Sequence, residues 1–227
     1  MNILAIDTST EYCSAALHLD GETVERGELA GQTHSRLVLG MVDALLRERG
    51  AALAGLDGIA YGEGPGSFTG LRIACGVVQG LAFGANLPVV GVGTLLAMAE
   101  GSGADRVIAC IDARMNEIYF GAYEKHGGVW RTVHEPIVCA AAQGPQVPGE
   151  GWVGCGSGFR AYRDALQARY GDRLARIEPD AYPHAADIAR LAAPRFAAGE
   201  ALAPELAAPV YVRNKVALRI DEQRAAS

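Results

Sequence analysis

The sequence predicts an α/β protein of two duplicated lobes, each with a mixed sheet flanked by helices. The strand end Leu4-Ala5-Ile6-Asp7 has a counterpart of the same type in Ala109-Cys110-Ile111-Asp112. Both lead through a polar turn into a second apolar strand, a glycine turn and a third strand, which indicates duplication. A glycine pair around Ser102 separates the copies. We therefore expect one lobe at 1–103 and a smaller, degenerate lobe at 104–227.

Apolar runs bounded by turn residues predict the elements of the first lobe. Ile3–Ile6 is apolar throughout, which is typical of a strand buried on both faces, and Asp20-Gly21 has hairpin-turn chemistry. Alternation in Glu22–Leu29 indicates an edge strand. The predicted strands are Ile3–Ile6, Cys13–Leu19, Glu22–Leu29, Leu56–Ala60 and Pro88–Val92, and the predicted helices are Ser35–Arg49, Phe68–Ala85 and Thr94–Gly101.

A glycine-rich turn, Gly62 to Gly66, joins a predicted buried strand to a predicted helix. Ser67 or Thr69 is the expected N-cap of that helix. Helix N-termini attract anions, so a phosphate site and a plain strand-to-helix turn both stay open. The turn is not a P-loop, because no Lys-Ser or Lys-Thr pair follows the glycines, and it lacks the dinucleotide fingerprint spacing.

The second lobe repeats the pattern with longer connections. We expect loops at 140–150 and 204–209, and a polar tail at 221–227. The predicted strands are Ala109–Asp112, Glu117–Tyr123, Val129–Val138, Trp152–Cys155 and a short Val210–Val212, and the predicted helices are Ser157–Tyr170 and Asp187–Ala198.

Two helices of the first lobe carry more apolar surface than packing on one sheet requires. A helix on a sheet needs an apolar stripe about 100° wide, and the arc of Ser35–Arg49 is wider. In Phe68–Ala85 the glycines recur every fourth residue, each costing about 1 kcal/mol of helix propensity relative to alanine. Close approach of another helix, in this chain or in another subunit, would offset that cost. We expect a subunit interface containing Leu37, Met41, Leu45, Arg72, Ile73, Gly76, Val77, Gly80, Leu81 and Gly84.

Composition limits the function classes. The 227 residues are 50% hydrophobic, as in a globular protein, and the net charge of −6 argues against binding nucleic acid without a partner. The N-terminus lacks the basic region of a signal peptide. The run Ile73–Ala85 is too short and too glycine-broken to span a membrane. Five dispersed cysteines indicate reduced thiols and a cytoplasmic protein.

Two aspartates end the first strands of the two triplets, where actin-like and sugar-kinase-like ATPases hold a nucleotide and Mg²⁺. Asp7 and Asp112 fit those positions, and Thr8, Ser9 and Thr10 could contact a phosphate; the alternative is that these are turn residues. The five histidines never occur four residues apart, and no nucleophile elbow lies in strand-to-helix context. We therefore predict no metal ligands and no catalytic residues.

Several strings resemble one family, the bacterial TsaB family, also called YeaZ. The resemblance is strong over 1–124 and weak between 125 and 200, and the string from Gly64 to Arg72 is highly specific. The similar segments are Ile3–Thr10, His34–Leu37, Gly64–Arg72, Ile111–Arg114, Glu117–Tyr119 and Tyr211–Asn214.

This resemblance implies an actin-like (ASKHA) fold and a place in the complex that makes threonylcarbamoyladenosine beside the anticodon of tRNA. The implied partners are the catalytic relative TsaD and the ATPase TsaE, with tRNA contacted only through the complex. The surplus apolar surface of the helices Ser35–Arg49 and Phe68–Ala85 separately predicts a homodimer when the chain is alone. No cofactor is required, although ATP or ADP could be contacted in the complex.

The resemblance also bears on catalysis. TsaD carries a metal-binding His-x-x-x-His after the strand that follows the glycine-rich turn, and Thr94 and Met98 occupy the corresponding positions here. A hydroxyl and a thioether do not replace imidazoles as ligands for a first-row metal. We therefore expect a non-catalytic scaffold. The alternatives are a stand-alone actin-like ATPase or kinase, and a glycoprotease.

Overall fold

A computed structural model describes residues 1–31 and 33–213, whose strands form two five-stranded sheets. The predicted tail at 221–227 lies outside the described residues. The first sheet contains β1 (Ile3–Asp7), β2 (Tyr12–Leu19), β3 (Glu22–Leu29), β4 (Gly58–Gly64) and β5 (Val89–Gly93). The second contains β6 (Arg106–Arg114), β7 (Glu117–His126), β8 (Val129–Ala140), β9 (Trp152–Cys155) and β10 (Leu174–Glu178).

The two sheets share one topology. The spatial order is β3-β2-β1-β4-β5 in the first and β8-β7-β6-β9-β10 in the second. In each, the first three strands pair antiparallel. The first strand also pairs in parallel with the fourth, which pairs in parallel with the fifth. The predicted duplication and the mixed sheets are therefore confirmed.

Helices cover both faces of the first sheet. The described helices are α1 (His34–Glu48), α2 (Phe68–Ala85), α3 (Thr94–Gly101), α4 (Ser157–Ala161), α5 (Arg163–Tyr170) and α6 (Ala185–Ala197). Helices α1 and α2 pack on one face through a core that includes Leu4 and Ile6, and α6 packs on the other face against Ile3 and Ala5. The strict alternation of β1 side chains between the two cores explains why this strand is apolar throughout.

Helix α3 connects the two lobes. It packs against β6 and β7 of the second sheet and against α6. Glu100 at its end accepts hydrogen bonds from Lys125 Nζ and Trp130 Nε1, each at 2.7 Å. The strands divide between the sheets near residue 103, but α6, from late in the sequence, returns to the first sheet. Division into folding units at 1–103 and 104–227 stays a prediction.

In the second half one strand was not predicted, and two expectations were wrong. Strand β10 was not predicted, because two of its five residues, Arg176 and Glu178, are charged and the strand lies at a sheet edge. The predicted helix at 157–170 is broken at Tyr162 into α4 and α5. The predicted strand Val210–Val212 has no regular secondary structure. It lies against the first lobe and is held by isolated hydrogen bonds, such as that of Val210 N to Glu63 O, instead of by a strand ladder.

Candidate functional site

A cleft of about 870 Å³ lies between the lobes. One wall comes from the first lobe and the other from the end of β6 and from α4. Its lining includes Ser9, Thr10, Glu11, Pro65, Gly66, Ser67, Phe68, Asp112, Arg114, Ser157, Arg160 and residues 210–213.

The glycine-rich turn packs directly on the polar turn after β1. Ser67 N donates to Ser9 O at 2.7 Å, and Thr8 Oγ1 donates to Gly70 O at 2.7 Å. A Cβ at Gly66 would lie 2.3 Å from Ser9 O, and one at Gly70 would lie 1.9 Å from Thr8 O. These glycines therefore permit close approach of two backbone segments. Ser67 caps α2 by accepting from Gly70 N at 3.3 Å, as one of the two expected caps.

Only some of the predicted nucleotide contacts reach the cleft. Ser9, Thr10 and Asp112 line it. Asp7 and Thr8 are fully buried and are not among the lining residues. The predicted contact of Asp7 and Thr8 with a ligand in this cleft was therefore wrong, because both side chains are buried inside the first lobe and form hydrogen bonds there.

Asp7 is a buried carboxyl beneath β4. Its Oδ1 accepts from Ser9 N at 3.0 Å and from Ser9 Oγ at 2.9 Å, whereas Oδ2 has no hydrogen-bond partner among the described residues. A Cβ at Gly62 would lie 1.9 Å from Oδ2, so only glycine leaves room for this side chain. Desolvation by burial raises the pKa of Asp7 to about 7, although the Ser9 hydrogen bonds and His184 oppose it.

The charged residues of the cleft neutralise each other. Asp112 accepts from Tyr162 Oη and Arg114 Nη1, both at 3.0 Å. Arg160 binds Glu11 across the cleft at 2.9 Å and Asp180 at 2.8 Å. An anion entering the cleft would have to displace a carboxylate from each arginine it used.

Thr94 and Met98, the two positions that the resemblance to TsaD sets against its metal-binding histidines, are buried. Thr94 begins α3 and Met98 follows one turn later, with side chains 0% and 2% exposed. Thr94 Oγ1 has no hydrogen-bond partner among the described residues. Within residues 1–31 and 33–213, no three His, Cys, Asp or Glu side chains group closely enough to hold a metal ion.

Helix α2 presents a nearly uncharged face to solvent, which we call the α2 face: Phe68, Arg72, Gly76, Gly80, Phe83 and Gly84, all exposed. A Cβ at any of the three glycines would meet no atom of the described residues within 4 Å. The glycine ridge therefore does not serve packing within this lobe. Phe83 is 79% exposed and was missed by the sequence analysis, although it lies one turn from Gly80 on the same face.

The other predicted interface residues are distributed differently. Ile73, Val77 and Leu81 are half-buried at the edge of the core, beside the α2 face. Leu45 is 1% exposed, which corrects its assignment as an interface residue, since its side chain faces the sheet. Leu37 and Met41 are half-buried and line a groove between α1 and the edge strand β3.

By length and composition alone, α2 is long and apolar enough to cross a membrane. The expectation that the run is too short was made for Ile73–Ala85, which is only part of this helix. One side of the helix is packed on the first sheet through Leu71, Ala74 and Val78. The core helix of a globular protein meets the same criterion. In α2, the apolar surface that the core does not bury lies on the α2 face, on the side opposite the sheet.

Two sheets of common topology around an interlobe cleft define an actin-like two-lobe α/β protein. The family model described as tRNA N6-adenosine threonylcarbamoyltransferase matches residues 26–219. The tRNA threonylcarbamoyladenosine biosynthesis protein TsaB of Escherichia coli is 44% identical, with 96% of each chain covered, and that of Haemophilus influenzae is 36% identical, with 95% of each covered. The solved structure of YeaZ from Pseudomonas aeruginosa superposes with a TM-score of 0.85 at 40% identity, covering 92% of this chain and 99% of that one.

The chain belongs to the TsaB family, also called YeaZ. The resemblance in the sequence strings is therefore confirmed over nearly the whole chain. Its members in Escherichia coli and Haemophilus influenzae are named for tRNA threonylcarbamoyladenosine biosynthesis.

Proposed function

We propose that this protein is a non-catalytic scaffold of the complex that installs threonylcarbamoyl on adenosine beside the anticodon of tRNA. In this role it binds and orders the catalytic relative TsaD and the ATPase TsaE, and contacts tRNA only through them. Alone, it forms a homodimer through the surface that later receives TsaD.

The observation that carries this proposal is the α2 face. From Ile73 to Ala85 the helix has no charged residue, and its three exposed glycines cost about 1 kcal/mol each in helix propensity without a packing benefit inside the lobe. A second helix lying on the ridge would bury Phe83 and approach the backbone closely. Because a self-complementary patch also suits a chain of the same fold, a homodimer and a pair with TsaD are expected to use the same face.

The non-catalytic role is supported by the residues at α3. Thr94 and Met98 supply a hydroxyl and a thioether where TsaD has imidazoles, and both side chains are already enclosed by the protein. Neither group is a good ligand for the first-row metals that histidines bind. Transferase or peptidase chemistry centred on a metal at this position therefore finds no support in this chain.

The test is the variant Gly80→Glu. A Cβ at Gly80 meets no atom of the described residues within 4 Å, and glutamate has the higher helix propensity, so the monomer should fold at least as stably as wild type. At a packed interface an unpaired charge costs roughly 3–5 kcal/mol. We expect light scattering to give a monomer, circular dichroism to give wild-type helix content, and pull-down of TsaD to fail.

The matched control is Ala168→Glu. Ala168 is exposed on α5 of the second lobe, so this variant adds the same charge to a helix surface away from α2. It should dimerise and bind TsaD as wild type does. A Gly80→Glu protein that remains dimeric and retains TsaD contradicts the proposal, since a buried carboxylate on the ridge would then be tolerated.

A further inference from the structure

The segment after the last helical turn, residues 207–213, runs along the outside of the first lobe without regular secondary structure, and we call it the strap. It starts against α2 and β4. Ala207 O accepts hydrogen bonds from Cys75 Sγ at 3.1 Å and from Gln79 Nε2 at 2.9 Å. The next residue donates its N–H to Tyr61 Oη at 3.0 Å.

The middle of the strap is bound to the end of β4. Val210 N donates to Glu63 O at 2.7 Å. A Cβ at Gly64 would lie 2.5 Å from Val210 O, and the φ of Gly64 is +123°, so this position has room only for glycine. One glycine of the glycine-rich turn is therefore required by the strap.

Tyr211 then covers the beginning of α2. Its hydroxyl accepts from Arg72 Nε at 2.9 Å, and its ring lies 5.4 Å from that of Phe68. The Arg72 guanidinium stacks on Phe68 at 3.7 Å from the ring centroid. These three side chains bind the strap at the rim of the cleft, which Phe68 and Tyr211 both line.

The strap ends on the other lobe. Arg213 forms an ion pair with Glu117 at the start of β7, and its side chain is 13% exposed, well covered for an arginine. The strap thus begins on the first sheet, lines the cleft over residues 210–213 and reaches the second sheet, on the opposite wall.

From this path we propose that the strap is an intramolecular latch, which ties the two lobes together across the mouth of the cleft and releases as one unit. Its contacts are mostly single hydrogen bonds and one ion pair, in a segment with no ladder to hold it. Such segments open locally at much lower free energy than the sheets to which they bind. With the latch closed, Arg213 is paired and Tyr211 occupies the rim, so opening both widens the cleft and frees a cation in it.

Native Cys75 reports on latch opening, because its thiol is covered at the strap's first contact, far along the chain from Arg213. Burial raises the pKa of the Cys75 thiol, which further slows its reaction. The experiment measures alkylation of each cysteine by iodoacetamide, quantified by peptide mass spectrometry, in Glu117→Gln and in Tyr211→Ala. Both variants should raise the labelling rate of Cys75 about tenfold, since each loses a charge-assisted or aromatic contact. The rate at Cys13, which is fully buried in the same core, should not change.

Matched controls separate the latch from general loosening. Glu178→Gln removes the partner of Arg176 elsewhere on the second lobe, and Tyr182→Ala removes a ring stacked on Tyr12. Both should leave Cys75 at the wild-type rate. The latch is overturned if Glu117→Gln leaves Cys75 unchanged, whatever Tyr211→Ala does, because the two ends would then open independently. It is also overturned if Cys13 labelling rises in step with Cys75, because the whole lobe would then be opening.

Discussion

At the scale of single residues, Asp7 is the clearest case of a group whose chemistry follows from its surroundings. The sequence offered it as a ligand for magnesium or phosphate, because it ends a strand before a polar turn. The structure buries it against Gly62 and gives one of its oxygens no partner among the described residues. A buried carboxyl with an oxygen that lacks a hydrogen-bond partner destabilises the folded state least when it is neutral.

We predict that Asp7→Asn changes the pH dependence of stability. The pKa of Asp7 is raised in the folded protein from 3.8 to about 7. Between these values the folded state holds a proton that the unfolded state has released, so this group's contribution to the free energy of unfolding falls as pH rises from 4 to about 7. The span corresponds to about 4 kcal/mol as an upper limit.

Urea unfolding at pH 5 and pH 8 measures this. Asparagine keeps an acceptor for Ser9 and carries no charge, so the variant should gain roughly 1–3 kcal/mol relative to wild type between the two pH values. The control Asp164→Asn removes an exposed carboxylate of α5, and its free energy of unfolding should change between the two pH values as that of wild type does. If Asp7→Asn also runs parallel to wild type, Asp7 does not titrate in this range.

At the scale of elements, periodicity located most segments but not their orientation. The bounds of α2 and the start of α3 at Thr94 were predicted as the structure has them, because the glycine-rich turn and Ser67 mark where α2 begins and a short predicted strand precedes Thr94. The wide apolar arc of α1 did not distinguish Leu45, which faces the sheet, from Leu37 and Met41, which line the groove beside β3. Only the position of neighbouring strands decides this, and that depends on contacts far apart in sequence.

The glycine ridge of α2 yields a prediction in which stability and binding move in opposite directions. Gly76 is exposed inside the helix, and a Cβ there meets nothing within 4 Å among the described residues. Gly76→Ala should therefore raise the free energy of unfolding of the monomer by about 0.5–1 kcal/mol. If the ridge is a helix–helix contact, the same methyl group separates the helices and weakens dimerisation.

Gly40→Ala is the matched control. Gly40 is an exposed glycine inside α1, also with open space at its Cβ, and it lies among the polar residues Arg36 and Asp43. It should gain similar stability and weaken dimerisation less than Gly76→Ala does, because Gly40 lies outside the α2 face. Chemical denaturation of dilute protein gives the free energy of unfolding, and sedimentation of concentrated protein gives the strength of dimerisation. If Gly76→Ala is stabilised but dimerises as strongly as wild type, the glycines of the α2 face are not part of the interface.

At the scale of the whole molecule, the sequence predicted the duplication because both copies keep their strand, aspartate and turn order. It did not predict what joins the copies. Helix α6 crosses back to the first sheet, with Ala186 N bound to Glu25 and Ala185 N bound to Ser14. The strap crosses in the other direction. Both connections depend on polar contacts between residues more than 90 positions apart, which leave no periodic signal in the sequence.

The cleft between the copies leads to the last prediction, that the purified chain alone has no ATP turnover above background and holds no stoichiometric transition metal. In an actin-like ATPase the strand-end carboxylates hold Mg²⁺ through water. Here Asp7 is enclosed in the first lobe, and Asp112 is bound by Arg114 and Tyr162. The cleft arginines Arg160 and Arg213 are paired with carboxylates, so a triphosphate gains little net charge compensation on entering. Phosphate release and elemental analysis measure both quantities, with Asp112→Asn as the paired variant. Turnover that Asp112→Asn abolishes, in a protein whose unfolding curve is unchanged, would favour a stand-alone ATPase over the scaffold.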